Sequence, residues 1–82
     1  VMGFSFAHIL IQGAKGKHSI TAGVNAKAEG ENSIAIGYEA KISAQNAVAI
    51  GANSKAGLHS AAYGYNAQAL GERSVAVGES AT

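Results

Sequence analysis

The feature that most constrains this chain is a short repeat with a 14-residue period. Five phrases of apolar and small residues, each closed by glycine, occupy residues 19–23, 33–37, 47–51, 60–64 and 74–78. Their closing glycines are 14, 14, 13 and 14 residues apart. A fixed period of this length is typical of an architecture in which each repeat packs only against its neighbours.

Each period contains a second phrase, rich in alanine, between two glycine phrases. The copies lie at residues 26–30, 40–44, 54–57 and 67–71, and one residue is missing between Ala56 and Gly57. Both phrases alternate with period two and are too short and too glycine-rich for helices. The sequence therefore predicts an all-β, parallel β-solenoid whose coils stack about 4.8 Å apart.

The corners of the predicted coils have their own column of residues. Two positions after each closing glycine stand Asn25, Glu39, Asn53, Asn66 and Ser80. Asparagine tolerates the left-handed backbone region and forms local hydrogen bonds, so this column indicates a tight turn in every coil.

The composition limits what one copy of the chain can stabilise alone. Glycine and alanine together fill 29 of the 82 positions, and the chain contains no cysteine, proline, tryptophan or aspartate. A disulfide scaffold and a cysteine-ligated metal site are therefore excluded. The formal net charge of +1 gives no indication of nucleic-acid or membrane binding.

The two phrases differ in how their faces are composed. In the alanine phrase, Ala26 and Ala28 alternate with Lys27 and Glu29, which predicts one buried and one hydrated face. The glycine phrases contain no charged residue in any copy, which predicts a strand covered on both faces. We expect its larger apolar residues to fill the coil interior and its small residues to contact an identical neighbour. The larger set is Ile20, Ile34, Ile36, Val48, Ile50, Tyr63, Val75 and Val77, and the smaller set includes Ser33, Ala35, Ala49 and Ala76.

The repeat resembles a known family. The run Asn-Ser-Ile-Ala-Ile-Gly at 32–37, followed by Tyr-Glu-Ala-Lys at 38–41, is similar to the head repeat of YadA-like trimeric autotransporter adhesins. The resemblance covers residues 19–82. It implies a left-handed parallel β-roll of about five coils, assembled as a homotrimer. Residues 1–18 would be a degenerate first coil or a cap, and Thr21, Ile42 and Ala44 depart from the pattern.

The same resemblance implies a location and a function. It places the chain on the bacterial cell surface, anchored to the outer membrane through parts outside this chain, in a virulence-related adhesin. Its partners would be host collagen, fibronectin, laminin or cell-surface receptors, with no membrane contact by this segment. The family's collagen-linked phrases correspond to residues 18–23, 32–37, 46–51, 59–64 and 73–78. The alternative is a β-roll segment of a phage tail fibre on the virion.

Two sets of outward residues are candidates for ligand binding. Lys27, Lys41 and Lys55 share one column, continued by Gln68 and Thr82, and could engage an acidic ligand. Tyr38 and Tyr65 share the position after a corner glycine, where exposed tyrosines often make contacts. The alternative for the lysines is a hydrated face that prevents aggregation of the β-surface.

Catalytic and metal chemistry find little support in the sequence. A Ser-His-Asp triad is impossible without aspartate, and residues 13–19 lack the glycine and Ser/Thr positions of a phosphate-binding loop. His18 and His59 share a column that could form a histidine ring about a threefold axis, although a hydrated turn is the simpler interpretation. We expect no enzymatic activity, no cofactor, no bound metal and no nucleic-acid partner.

Overall fold

The chain forms a parallel β-solenoid made of two sheets. The computed structural model describes the backbone of residues 4–5 and the chain from residue 14 to residue 82. Sheet A contains β1 (Phe4–Ser5), β2 (Ile20–Ala22), β4 (Ile34–Ile36), β6 (Val48–Ile50), β8 (Ala61–Tyr63) and β10 (Val75–Val77), in that order. Sheet B contains β3 (Lys27–Ala28), β5 (Lys41–Ile42), β7 (Lys55–Ala56) and β9 (Gln68–Ala69), in that order.

Strand register confirms the period predicted from the sequence. Neighbouring strands within each sheet are parallel, and Ile34 pairs with Val48 just as Lys27 pairs with Lys41. The sequence separation between paired residues is one residue shorter where Val48 pairs with Ala61 and where Lys55 pairs with Gln68. The missing residue therefore lies between the β7 and β8 strands, in the corner where the sequence alignment placed it.

The prediction that residues 1–18 form a degenerate coil or a cap falls largely outside the described residues. Within it, Phe4 pairs with Ile20 and Ser5 with Thr21, so β1 is parallel to β2. Ala14 forms an isolated parallel bridge with Ala28. Backbone pairing thus extends toward the N-terminal side of residue 19.

Both corners of each coil use left-handed backbone. Asn25, Glu39, Asn53, Asn66 and Ser80 have φ of 60°, 58°, 60°, 59° and 58°, which confirms the predicted turn column. The opposite corner has a second such column, made of His18, Asn32, Asn46, His59 and Arg73. Because asparagine tolerates this region better than most residues, its recurrence at 32 and 46 was the available signal for the second column.

Small side chains fill the interior of the solenoid. Ala28, Ala35, Ala49 and Ala62 are fully buried, together with Ser33. The serines beside them are satisfied locally, because each hydroxyl donates a hydrogen bond to the carbonyl three residues earlier. These bonds measure 2.6 Å for Ser19, 2.6 Å for Ser33, 2.8 Å for Ser54, 2.6 Å for Ser60 and 2.7 Å for Ser74. Local pairing offsets the cost of burying Ser19, Ser33, Ser54 and Ser60, whereas Ser74 lies closer to the surface.

The predicted orientation of the glycine phrases is wrong. Ser33 and Ala35 point into the coil, whereas Ile36 is 37% exposed and Tyr63 is 40% exposed. The same holds for every large apolar residue that the sequence assigned to the interior, because all of them lie on the outer face of sheet A. The partly or largely exposed residues are Ile20, Ile34, Ile36, Val48, Ile50, Tyr63, Val75 and Val77. The small residues assigned to subunit contact, including Ala49 and Ala76, are buried instead.

The physical reason for the inversion is the width of the coil. Two short strands joined by tight corners enclose room for methyl and hydroxymethyl groups. Between residues 14 and 82 the buried hydrophobic residues are alanines with one exception, Ile42. A column of isoleucine and tyrosine would not fit between such strands at interior packing density. By contrast, the alanine phrase is oriented as predicted, with Ala28 buried and Lys27 exposed.

Ile42 is the largest enclosed side chain in the described part of the solenoid and is only 2% exposed. Replacing Ile42 by alanine is expected to lower the free energy of unfolding by about 2–4 kcal/mol, because the lost methyl groups leave a cavity among rigid neighbours. Chemical denaturation followed by circular dichroism measures this change. Leu70→Ala is the matched control, since Leu70 is 62% exposed and should cost less than about 1 kcal/mol. Equal effects of the two substitutions would contradict the assignment of Ile42 to the interior.

Ala44 stands at a corner position that neighbouring coils fill with glycine. A Cβ atom at Gly30, one coil earlier in the same column, would collide with the carbonyl of Ala44. The coil that follows Ala44 is the one that lacks a residue at this corner. Nothing in the structure explains the alanine at position 44.

Candidate functional site

The outer face of sheet A is a continuous apolar surface, which we call the apolar face. It consists of the outward residues of five strands: Ile20, Ala22, Ile34, Ile36, Val48, Ile50, Ala61, Tyr63, Val75 and Val77. None of them is charged, and Val75 and Val77 are 69% and 67% exposed. Contiguous exposed apolar residues of this kind mark interaction surfaces in soluble proteins.

The outer face of sheet B carries a row of stacked cations. Lys27 pairs in register with Lys41, and Lys41 pairs with Lys55, so the three form one column that we call the lysine ladder. Gln68 continues the column after Lys55, as the sequence predicted. All three lysines are exposed. The structure thus brings together the residues that the sequence singled out for an acidic ligand.

A shallow depression of about 280 Å³ borders the lysine ladder. Besides the three lysines, its lining comprises Glu29, Ile42, Ser43, Ala56 and Leu70. Glu29 lies 3.6 Å from the ammonium of Lys15, the one ion pair found in the described part of the chain. Sequence reasoning missed this depression, because it depends on how Leu70 and Ser43 are placed by the corners next to the ladder.

Tyr38 and Tyr65 lie at the corner that leads from sheet A into sheet B. Both are about half exposed. Ala52 occupies the same corner position in the coil between them, so the two rings are not stacked on each other. The structure therefore places the predicted tyrosines on one edge of the solenoid, as separate contact points.

The opposite corner carries a polar ladder. The Asn32 side-chain nitrogen donates to the Asn46 side-chain oxygen at 3.2 Å, and the Asn46 nitrogen lies 3.5 Å from Nε2 of His59. His18 and His59 share this column, but Asn32 and Asn46 lie between them. Among residues 14–82, no three potential metal-ligating side chains converge.

Comparison with known proteins decides the family. A family model described as "YadA head domain repeat (2 copies)" matches three stretches of the chain. They are residues 14–40, 43–57 and 56–81. The chain belongs to the YadA head repeat family. YadA heads are surface-exposed adhesin domains of trimeric autotransporters rather than enzymes, so the resemblance inferred from residues 32–41 is confirmed. No curated protein and no solved structure matches this chain significantly.

No helix in the described ranges is long and apolar enough to cross a membrane. The lysines and tyrosines suggested as ligand contacts are accessible to solvent, whereas the apolar residues of the collagen-linked phrases form the apolar face. The candidate ligand residues and the apolar face therefore lie on different parts of the solenoid surface.

Proposed function

We propose that this chain is a homotrimeric adhesin head segment that attaches bacteria to host extracellular matrix or host cells. Three copies pack their apolar faces around a common axis, and the outward surfaces contact the ligand. The trimeric number comes from the family, whereas the need for a covering partner comes from the apolar face itself. That face is the single observation that supports the proposal most directly.

The apolar face favours self-association for energetic reasons. The solenoid interior is built mainly from alanine and serine, so it buries little apolar area per residue. The larger apolar side chains, such as Ile36, Val75 and Val77, remain exposed in the single copy. Covering them with the same face of other copies removes apolar surface from water and stabilises both fold and assembly.

The proposed assembly also determines which residues meet a ligand. With sheet A turned toward the axis, sheet B and the Tyr38 corner face outward, because the two sheets form opposite sides of each coil. Each accessible residue is then presented three times at fixed spacing. Repeated weak contacts of this kind produce avidity for fibrous ligands without requiring a deep pocket.

The assembly and its binding are tested on the same purified chain. Light scattering coupled to size-exclusion chromatography should give the mass of three chains over a range of concentrations. The trimer should then be retained on surfaces coated with collagen, fibronectin or laminin, or on host cells. A folded chain that remains monomeric contradicts the assembly, and a trimer retained on none of these surfaces contradicts the adhesive function.

Tyr38 and Tyr65 are expected to contribute to retention. Replacing both by serine should weaken binding to the retained matrix protein by about tenfold, since exposed aromatic anchors often dominate protein interfaces. Surface plasmon resonance measures the change, and Ala52→Ser provides a control in the same column between them. Unchanged affinity of the double variant would remove the tyrosines from the binding surface.

A further inference from the structure

We propose that the lysine ladder and its depression form a binding site for a linear sulfated polysaccharide. This inference deepens the proposed function by naming a ligand class, but the site itself lies within a single chain. It is built from Lys27, Lys41 and Lys55, with Ser43 and Leu70 on its border.

The ladder concentrates positive charge in a way that costs stability in the free protein. Like charges directly opposite each other on neighbouring strands repel, and the register places Lys41 opposite both Lys27 and Lys55. The nearby acid, Glu29, is already engaged by Lys15. Within the described residues, none of the three ladder lysines forms an ion pair. An external polyanion would relieve this repulsion.

The spacing of the ladder selects for closely spaced anions. Neighbouring coils are about 4.8 Å apart, so three ammonium groups extend over roughly 10 Å along the solenoid axis. Lysine binds sulfate and phosphate groups as a point charge without a demanding geometry. A chain with several sulfates per repeating unit can therefore engage all three cations, whereas a sparsely carboxylated chain cannot.

The lining of the depression distinguishes a polysaccharide from a nucleic acid. Leu70, which is 62% exposed, contributes apolar surface next to the lysines, and the exposed Ser43 contributes a hydroxyl group, while Ile42 and Ala56 form the buried floor. Sugar rings have both apolar faces and hydroxyl groups, so they match this mixture. Single-stranded nucleic acid is usually bound through aromatic side chains that stack on its bases, and none lines this depression.

The position of the site is compatible with the proposed trimer. The ladder lies on the outer face of sheet B, on the other side of the coil from the apolar face. Assembly through sheet A leaves the ladder accessible and repeats it three times. A long polysaccharide could then bridge copies of the site on neighbouring molecules.

The test measures the affinity of the full chain for heparin by isothermal titration calorimetry. The variant Lys41→Gln/Lys55→Gln is compared with Lys17→Gln/Arg73→Gln, which removes the same charge away from the ladder. Each pair changes the formal net charge from +1 to −1. We expect the ladder pair to lose at least about tenfold in affinity and the control pair less than about threefold. Circular dichroism and the mass of each variant confirm that fold and assembly are preserved.

Three further measurements sharpen the result. Glu29→Gln should raise heparin affinity, because it removes a negative charge from the border of the depression. Affinity should fall steeply with increasing sodium chloride, as it does when bound counterions are released. Hyaluronan, which carries carboxylates but no sulfates, should bind much more weakly than heparin.

Several outcomes would overturn the inference. Equal losses in the ladder and control pairs would show that only net charge matters. Single-stranded DNA bound as tightly as heparin would point to a general polyanion surface. If the chain trimerises and binds matrix protein but heparin does not bind, the inference fails while the proposed function survives. If the chain stays monomeric yet binds heparin through the ladder, the assembly fails and the inference survives.

Discussion

Replacing Ile36 by lysine is expected to convert the trimer into monomers while leaving each solenoid folded. Ile36 lies in the middle of the apolar face and points away from the interior. In the proposed assembly the substitution would bury three cations close to the axis, without partners, and buried unpaired charges are strongly destabilising. Analytical ultracentrifugation at micromolar concentration should show the mass of one chain, and circular dichroism should still report β-structure.

The matched control places the same charge on the other side of the coil. Ser43→Lys adds one lysine at an exposed position next to β5, so it should leave the mass of the assembly unchanged. A trimer that persists with lysine at position 36 would show that the apolar face is not the subunit interface. Loss of the trimer in both variants would show that overall charge, rather than this face, controls assembly.

Replacing Gly37 by alanine is expected to destabilise the solenoid by more than about 3 kcal/mol. Gly37 has a φ of +129°, a region that side chains rarely adopt, and an added Cβ would lie 2.6 Å from the backbone carbon and oxygen of Gly51. Backbone in the next coil cannot move aside without breaking its own hydrogen bonds, such as that from the Gly51 amide to the Ile36 carbonyl at 2.7 Å. Urea denaturation measures the loss.

Two other glycines separate the causes of that loss. Gly78 has a similar φ of +121°, but nothing lies within 4 Å of an added Cβ, so Gly78→Ala should show the conformational cost alone. At Gly71 the nearest atoms are 3.9 Å away, and Gly71→Ala should be nearly neutral. If Gly37→Ala costs no more than Gly78→Ala, the close contact between coils does not limit residue choice at this column.

The backbone architecture could be predicted from the sequence because it follows from the period. A 14-residue repeat with two short alternating phrases leaves a stacked parallel solenoid as the simple solution. Counting residues along the repeat predicted the left-handed corner at Asn53 and the pairing of Lys27 with Lys41. It also predicted that the repeat ending before Ala61 is one residue shorter than the others. These features depend on spacing, which the sequence states directly.

The residue spacing did not predict which side chains of the glycine phrases point into the coil. Alternation separates Ile34 and Ile36 from Ser33 and Ala35, but the absence of charge on both faces does not say which pair is inside. The usual expectation that larger apolar residues are buried failed, because the coil is too narrow for them. The alanine phrase contained a signal: its inward positions, such as Ala26 and Ala28, are mostly alanine, which indicates an interior too narrow for a full column of isoleucines.

The candidate binding surfaces were predicted only in part. The lysine column followed from spacing, and the structure places it on an outer face. The depression beside it and the pairing of Glu29 with Lys15 depend on the geometry of individual corners. Such details arise from the three-dimensional path of the chain, so a linear pattern of residue types does not contain them.

The backbone hydrogen bonds of each coil run mainly to the coils directly above and below it. Tandem duplication or loss of one complete repeat in the gene would therefore preserve the backbone hydrogen bonding between all remaining coils. Such recombination would change the reach of the rod by about 4.8 Å per unit while keeping its cross-section. A bacterial population could in this way vary how far its surface protein extends, without having to evolve a new packing arrangement each time.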